Sequence, residues 1–147
     1  MPCSSISVIG LGYIGLPTAA MFASREKPVI GVDVNQHTVD TINSGKIHIA
    51  EPKLDVMVQK AVQKGFLRAS VSSKPADVFI IAVPTPFLPF ETEDLIPEPD
   101  LTYIESATKE IAKVLKKGDL VILESTSPVG TTGQMAEWLA QERLDLN

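Results

Sequence analysis

The chain's 147 residues, 15.8 kDa, suit one domain rather than two and can bury about 68% of the surface the unfolded chain exposes. Apolar residues make up 44% and charged residues 21%, which excludes wholesale disorder, and 13 Lys and Arg against 18 Asp and Glu, a net charge of −5, argue against a nucleic-acid partner. No apolar run approaches the ~18 residues of a membrane span, and the opening MPCSSISVIG lacks the regions of a signal peptide. With one cysteine, Cys3, and two histidines, His37 and His48, there is no disulfide framework and little for a metal site, so a cytoplasmic α/β protein without metal is expected.

Ile6–Ile9 is short, apolar and β-branched and reads as a buried strand. From Leu16 onward, Leu16, Ala19, Ala20 and Ala23 fall at helical spacing, and Pro17 is tolerated in a first turn. Pro28–Val34 is a second strand, and Gln36–Asn43 a short helix that ends at Ser44-Gly45. Leu54, Met57, Val58, Ala61 and Val62 form an amphipathic stripe stopped by Gly65. Phe66–Val71 and Asp77–Val83 follow as strands, the second apolar on both faces. Pro84–Asp100 holds five of the eleven prolines and several acids. It is expected to be a long loop, since proline opposes helix and central strand alike; Phe90–Ile96 reads as an acidic insertion. Asp100 or Thr102 caps the next helix, with Thr102 and Glu105 at capping-box spacing, and Ile104, Ala107, Ile111 and Val114 are its buried stripe. Asp119–Leu123 is a strand, Ser125–Gly130 a loop, and Thr131 or Thr132 caps a last helix carrying Met135, Trp138, Leu139 and Ala140.

Strands alternating with helices imply a doubly wound parallel sheet of Rossmann type, which binds ligands beyond the carboxyl ends of its strands. Gly10, Gly12 and Gly15 spell G-x-G-x-x-G directly after a predicted strand and at the opening of a predicted helix, the context a dinucleotide requires. Gly10 permits the tight turn, Gly12 leaves room for a pyrophosphate, and Gly15 lets helix and strand approach. The N–H groups of Tyr13 and Ile14 lie at a helix N-terminus, which favours phosphate; their side chains are expected to serve packing. Asp33 stands 21 residues on from Gly12, at the spacing of the acid that receives the adenosine ribose hydroxyls. Its charge would repel a 2′-phosphate, and Val34, Asn35 and Gln36 supply no cation, so NAD is expected over NADP. A methyltransferase also carries an acid after its second strand, so these two features leave the class open; Gly15 and the segment Val83-Pro84-Thr85-Pro86 argue against it.

Thr85, between two prolines, and Thr126, in Glu124-Ser125-Thr126-Ser127-Pro128, follow two further strands. Either hydroxyl could face the nicotinamide half of the crevice, and either could be ordinary turn chemistry. Cys3 and His48 have no partner in sequence that suggests catalysis.

The runs ISVIGLGYIGLPTAAMFAS, VIGVDVN, AVPTPF, EPDLTYIESA and LVILESTSPVGTT resemble the N-terminal domain of the nucleotide-sugar 6-dehydrogenases. The resemblance covers nearly the whole chain, broken mainly at Leu88–Pro97. GYIGLPTAAMFAS with ILESTSPVGTT is most similar to members that oxidise UDP-N-acetyl-D-mannosamine, with UDP-glucose and UDP-N-acetylglucosamine enzymes as alternatives. The resemblance implies NAD contacts at Tyr13, Ile14, Asp33, Thr85 and Thr126, with Thr126 close to the chemistry and Glu124 in the same segment. It also implies a two-step oxidation with two NAD per substrate. A later cysteine, a lysine, an asparagine, a dimer-forming helix, a UDP-sugar domain and the last Rossmann strand all lie beyond Asn147. The expectation is an NAD-binding domain over residues 1–147 that holds cofactor without turnover and contains no catalytic residue of its own. A non-catalytic NAD-sensing module is the other reading.

Overall fold

The computed structural model describes residues 4–89 and 96–146. Strands β1 (Ile6–Ile9), β2 (Val29–Val32), β3 (Leu67–Ser70), β4 (Val78–Ile81) and β5 (Leu120–Leu123) form one parallel sheet in the order β3-β2-β1-β4-β5. These are the first five positions of the doubly wound order, with the reversal between β1 and β4. The helices are α1 (Gly15–Ser24), α2 (Gln36–Asn43), α3 (Leu54–Gln63), α4 (Thr102–Ala112) and α5 (Thr131–Glu142), followed by a 3₁₀ turn at Leu144–Leu146.

Alternation along the strands divides the core in two. Ile6 and Val8 of β1 and Ile80 of β4 face Leu16, Ala19, Ala20, Leu54 and Val58 of α1 and α3. Ile9, Phe79 and Ile81 face Ala107, Ile111 and Met135 of α4 and α5, with Trp138 against the same cluster. The alanines of α1 let it lie close to the sheet, and Phe79 fills the opposite side without exposure. Within β1, Ser7 is fully buried and its hydroxyl has no hydrogen-bond partner among the described residues.

Asp77, just before β4, ties down the start of the chain: its Oδ2 accepts the Ser4 and Ser5 N–H groups, both at 2.8 Å. At the outer edge of β3, the Asn43 side chain imitates a neighbouring strand. Its Oδ1 accepts the Ala69 N–H at 2.8 Å and its Nδ2 donates to the Ala69 carbonyl at 3.0 Å. At the other side, β5 pairs only with β4 among the described residues.

The first strand has the expected bounds, and the other four are shorter than expected by one to three residues, because ladder pairing stops before the expected run does. Of the two helix starts with candidate caps, the first is held by Asp100 and the second by neither threonine. Thr102 does not form a capping box: Asp100 Oδ1 accepts its N–H at 2.9 Å and its hydroxyl at 2.6 Å. The last helix begins after Gly130 with no side-chain cap. Thr131 lies inside it, buried, with its hydroxyl donated to the Pro128 carbonyl. By contrast Asn35, which the sequence does not mark, caps α2 through the His37 N–H at 2.9 Å. Arg143, equally unmarked, donates Nη1 to the carbonyls of Ala112 and Leu115 at the end of α4.

The proline-rich segment is not wholly irregular. Phe87 and Pro99 form an antiparallel bridge, with Leu88 N–H donating to the Glu98 carbonyl and Asp100 N–H to the Pro86 carbonyl. Prolines fit this ladder because the donors come from Leu88 and Asp100, and Pro86 contributes only a carbonyl. The proposed insertion at Phe90–Ile96 falls almost entirely outside the described residues, as does Cys3.

Candidate cofactor site

The candidate residues gather at the carboxyl edge of the sheet, around the point where strand order reverses. Gly10 leaves β1 at φ +94°, a conformation that disfavours other residues, and a Cβ on it would lie 2.6 Å from the Ala82 carbonyl oxygen. A Cβ on Gly15 would lie 1.7 Å from the Gly10 carbonyl oxygen. Both glycines are therefore required for the turn to close against the end of β4. Gly12 differs: nothing lies within 4 Å of a Cβ built there, so its bare backbone borders open space. The N–H groups of Gly12, Tyr13 and Ile14 have no hydrogen-bond partner among the described residues, and α1 has neither a side-chain cap nor an acid in its first turn. Donors and helix dipole converge on space that no protein group fills, which fits a pyrophosphate. The side chains of Tyr13 and Ile14 do not pack as expected; they are 63% and 57% exposed, because the turn carries them outside the strand–helix interface.

Asp33 follows β2 and is half-buried. Its Oδ2 accepts the Leu11 N–H at 3.0 Å and its Oδ1 accepts the Asn35 N–H at 2.9 Å. The carboxylate thus holds the glycine turn and the start of α2 in fixed relation. Each oxygen retains lone-pair capacity for a further donor.

Beside Asp33 opens a cavity of about 480 Å³, lined by Val34, Val71, Pro84, Tyr103 and Glu110 among others. Its walls are mainly apolar and the charged residues among them, Asp33 and Glu110, are acidic; no Lys or Arg lines it. A flat heterocycle suits such a slot, and a second phosphate does not. Sequence reasoning missed Val34, Val71 and Tyr103 as walls. The signal available was the exposure of large apolar side chains next to strand ends, which only the fold reveals.

Across the reversal point, Thr85 is half-buried and Thr126 exposed. Among the described residues no hydrogen bond joins them, but Ser125 links their loops, its hydroxyl donating to the Val83 carbonyl at 2.8 Å. Glu124 Oε1 accepts the Thr18 hydroxyl at 2.8 Å, joining the end of β5 to α1. Gly10, Gly12, Tyr13, Ile14, Gly15 and Asp33 therefore form one half of the crevice, and Thr85 and Thr126 stand on loops at the other.

Comparison with known proteins agrees with this geometry. The chain is 65% identical over 146 residues to UDP-N-acetyl-D-mannosamine dehydrogenase from Escherichia coli (strain K12), covering 99% of this chain and 33% of that protein. It is 62% identical over 143 residues to NDP-N-acetyl-D-galactosaminuronic acid dehydrogenase from Ralstonia solanacearum, covering 97% and 32%. Among solved structures, the UDP-N-acetyl-mannosamine dehydrogenase from Staphylococcus aureus superposes with a TM-score of 0.88 at 38% identity, covering 98% of this chain and 34% of that one. The chain thus spans about a third of the length of the curated relatives it matches. Residues 4–147 match the profile of the UDP-glucose/GDP-mannose dehydrogenase family, NAD binding domain. A glycine turn with free donors, an acid bound to that turn and a slot without cations are what an NAD domain needs, and the chain belongs to this family as its NAD-binding domain.

Proposed function

We propose that this chain is the cofactor-binding part of an NAD-dependent dehydrogenase acting on a nucleotide sugar, UDP-N-acetyl-D-mannosamine by its resemblance to enzymes of that name. In this reading the free N–H groups of Gly12, Tyr13 and Ile14 bind the pyrophosphate, and Asp33 receives the adenosine ribose hydroxyls on lone pairs left over from its two backbone bonds. Adenine enters the slot bordered by Val34, Val71 and Tyr103, and Thr85 and Thr126 orient the nicotinamide half. Bound NAD supplies a hydride acceptor; the chain's own residues hold and orient it and exclude water from one side of it. The observation that carries the proposal is the pairing of an open, donor-rich glycine turn with a carboxylate fixed to its backbone, in a crevice lined by no cation.

The substrate chemistry belongs to polypeptide outside the matched third of the relatives. With only one reactant positioned, the effective molarity that drives hydride transfer is lost, so the 147-residue chain binds NAD without turnover. Calorimetric titration with NAD and NADP in parallel tests the first part: NAD binds and NADP binds at least about tenfold more weakly, since a 2′-phosphate beside the half-buried Asp33 carboxylate costs more than about 1.4 kcal/mol. Equal affinities overturn the assignment of Asp33. NADH absorbance with UDP-N-acetyl-D-mannosamine and with UDP-glucose tests the second; sustained NADH formation by purified chain overturns it.

A further inference from the structure

Two consecutive residues at the end of β5 make hydrogen bonds that neither the strand nor the turn requires. Glu124 continues the alternation of Leu120 and Ile122 and so leaves the sheet on the α1 side, where it accepts the Thr18 hydroxyl at 2.8 Å across 106 residues of sequence. Ser125 turns toward the neighbouring strand end, and its hydroxyl donates to the Val83 carbonyl at 2.8 Å, with the Ile81 carbonyl at 3.3 Å. Both residues also donate their own N–H groups to the Ile81 carbonyl. Val83 precedes Pro84-Thr85, and Ser125 precedes Thr126. One hydrogen bond therefore fixes the Thr126 loop against the helix that begins at the glycine turn, and the next fixes it against the loop carrying Thr85.

We propose that Glu124 and Ser125 are positioning residues: they set Thr126 in register with Thr85 and with the start of α1, and so pre-form the nicotinamide half of the crevice. The inference rests on the cofactor reading above and adds to it a division of labour. Asp33 and its cavity serve the adenosine half without help from β5, whereas the nicotinamide half depends on two bonds that span elements. Such bonds act through preorganisation, by removing loop freedom that binding would otherwise have to remove.

The test is a calorimetric comparison of NAD with ADP, which carries the adenosine half alone, on the 147-residue chain and its variants. Glu124→Ala, Thr18→Val and Ser125→Ala are each expected to weaken NAD about three- to tenfold, the range of one lost hydrogen bond, while ADP affinity stays within about twofold. Glu124→Gln keeps an acceptor for Thr18 and retains NAD affinity. Thr18→Val combined with Glu124→Ala loses no more than either alone, because both remove the same bond. Equal losses for NAD and ADP, unchanged NAD affinity, or a Glu124→Gln variant as weak as Glu124→Ala would each overturn the proposal. A wild-type chain that binds ADP as tightly as NAD also overturns it and leaves the cofactor site standing. Failure of the wild type to bind either ligand overturns the cofactor reading, and the proposal with it. If Ser125→Ala does not fold, the exposed Thr18–Glu124 pair decides the matter alone.

Discussion

The carboxylate of Asp33 accepts one backbone N–H from the glycine turn and another from the start of α2, so its removal acts on both the ligand and the loop. Asp33→Ala is expected to weaken NAD by about 1–3 kcal/mol, the cost of losing hydrogen bonds to a charged group, and to lower the melting temperature as well, because the Leu11 N–H loses its partner. Titration and thermal unfolding of the same preparation check both; unchanged affinity removes Asp33 from the site. Ser7 offers the opposite case. Its hydroxyl is buried in β1 without a partner among the described residues, a cost of about 1–3 kcal/mol for an unmet polar group. Ser7→Ala is expected to raise the melting temperature by roughly 2–4 °C per kcal/mol recovered, and a lower value would show that the hydroxyl is satisfied.

At the scale of elements, the β1–α1 turn separates two glycines that a motif treats alike. Gly15→Ala drives a Cβ to 1.7 Å from a backbone oxygen and is expected to cost at least about 3 kcal/mol, since backbone cannot move aside as a side chain can. Gly12→Val meets nothing and is expected to fold with little loss, yet to bind no NAD, because the valine fills the space left for pyrophosphate. Circular dichroism and titration together distinguish them; a folded Gly12→Val chain that binds NAD refutes the reading. The same turn marks where sequence was readable. A strand, three glycines and an acid 21 residues beyond Gly12 are local patterns, and each stands where its spacing implies. Asn35 and Arg143 were less readable, because a cap is chosen by which donor happens to lie within reach. The walls Val34, Val71 and Tyr103 come from three different segments, and no local pattern joins them.

For the molecule as a whole, the Asp77 carboxylate ties Ser4 and Ser5 to the start of β4. The N–H groups of Ser4 and Ser5 beside Asp77 hold its carboxyl below the ordinary value of 3.8, the Ser5 hydroxyl and Lys116 adding to this against a partial opposing effect of desolvation. A carboxyl lowered in the folded state stabilises it fully above the unfolded value and loses that contribution as pH falls through the folded one. The melting-temperature gap between wild type and Asp77→Ala is therefore expected to be widest near neutral pH and to close as pH drops below about 4. A gap that persists at pH 2 would assign the stabilisation to packing instead. Binding acts on the whole fold too: at a hundredfold excess over its dissociation constant, NAD adds about 2.7 kcal/mol to stability.

A β-sheet is also a template, open to growth wherever an outer strand leaves its backbone bare. Here the two ends are unlike. The Asn43 amide occupies both polar groups of Ala69 on β3, so an incoming strand would first have to displace it, while among the described residues no side chain plugs the outer backbone of β5 in this way. Of the two edges, the one on the side of Asp33 is therefore the better defended against an incoming strand. Asn43→Ala makes both ends permissive. It is expected to strengthen concentration-dependent self-association, read by light scattering, beyond that of the wild-type chain.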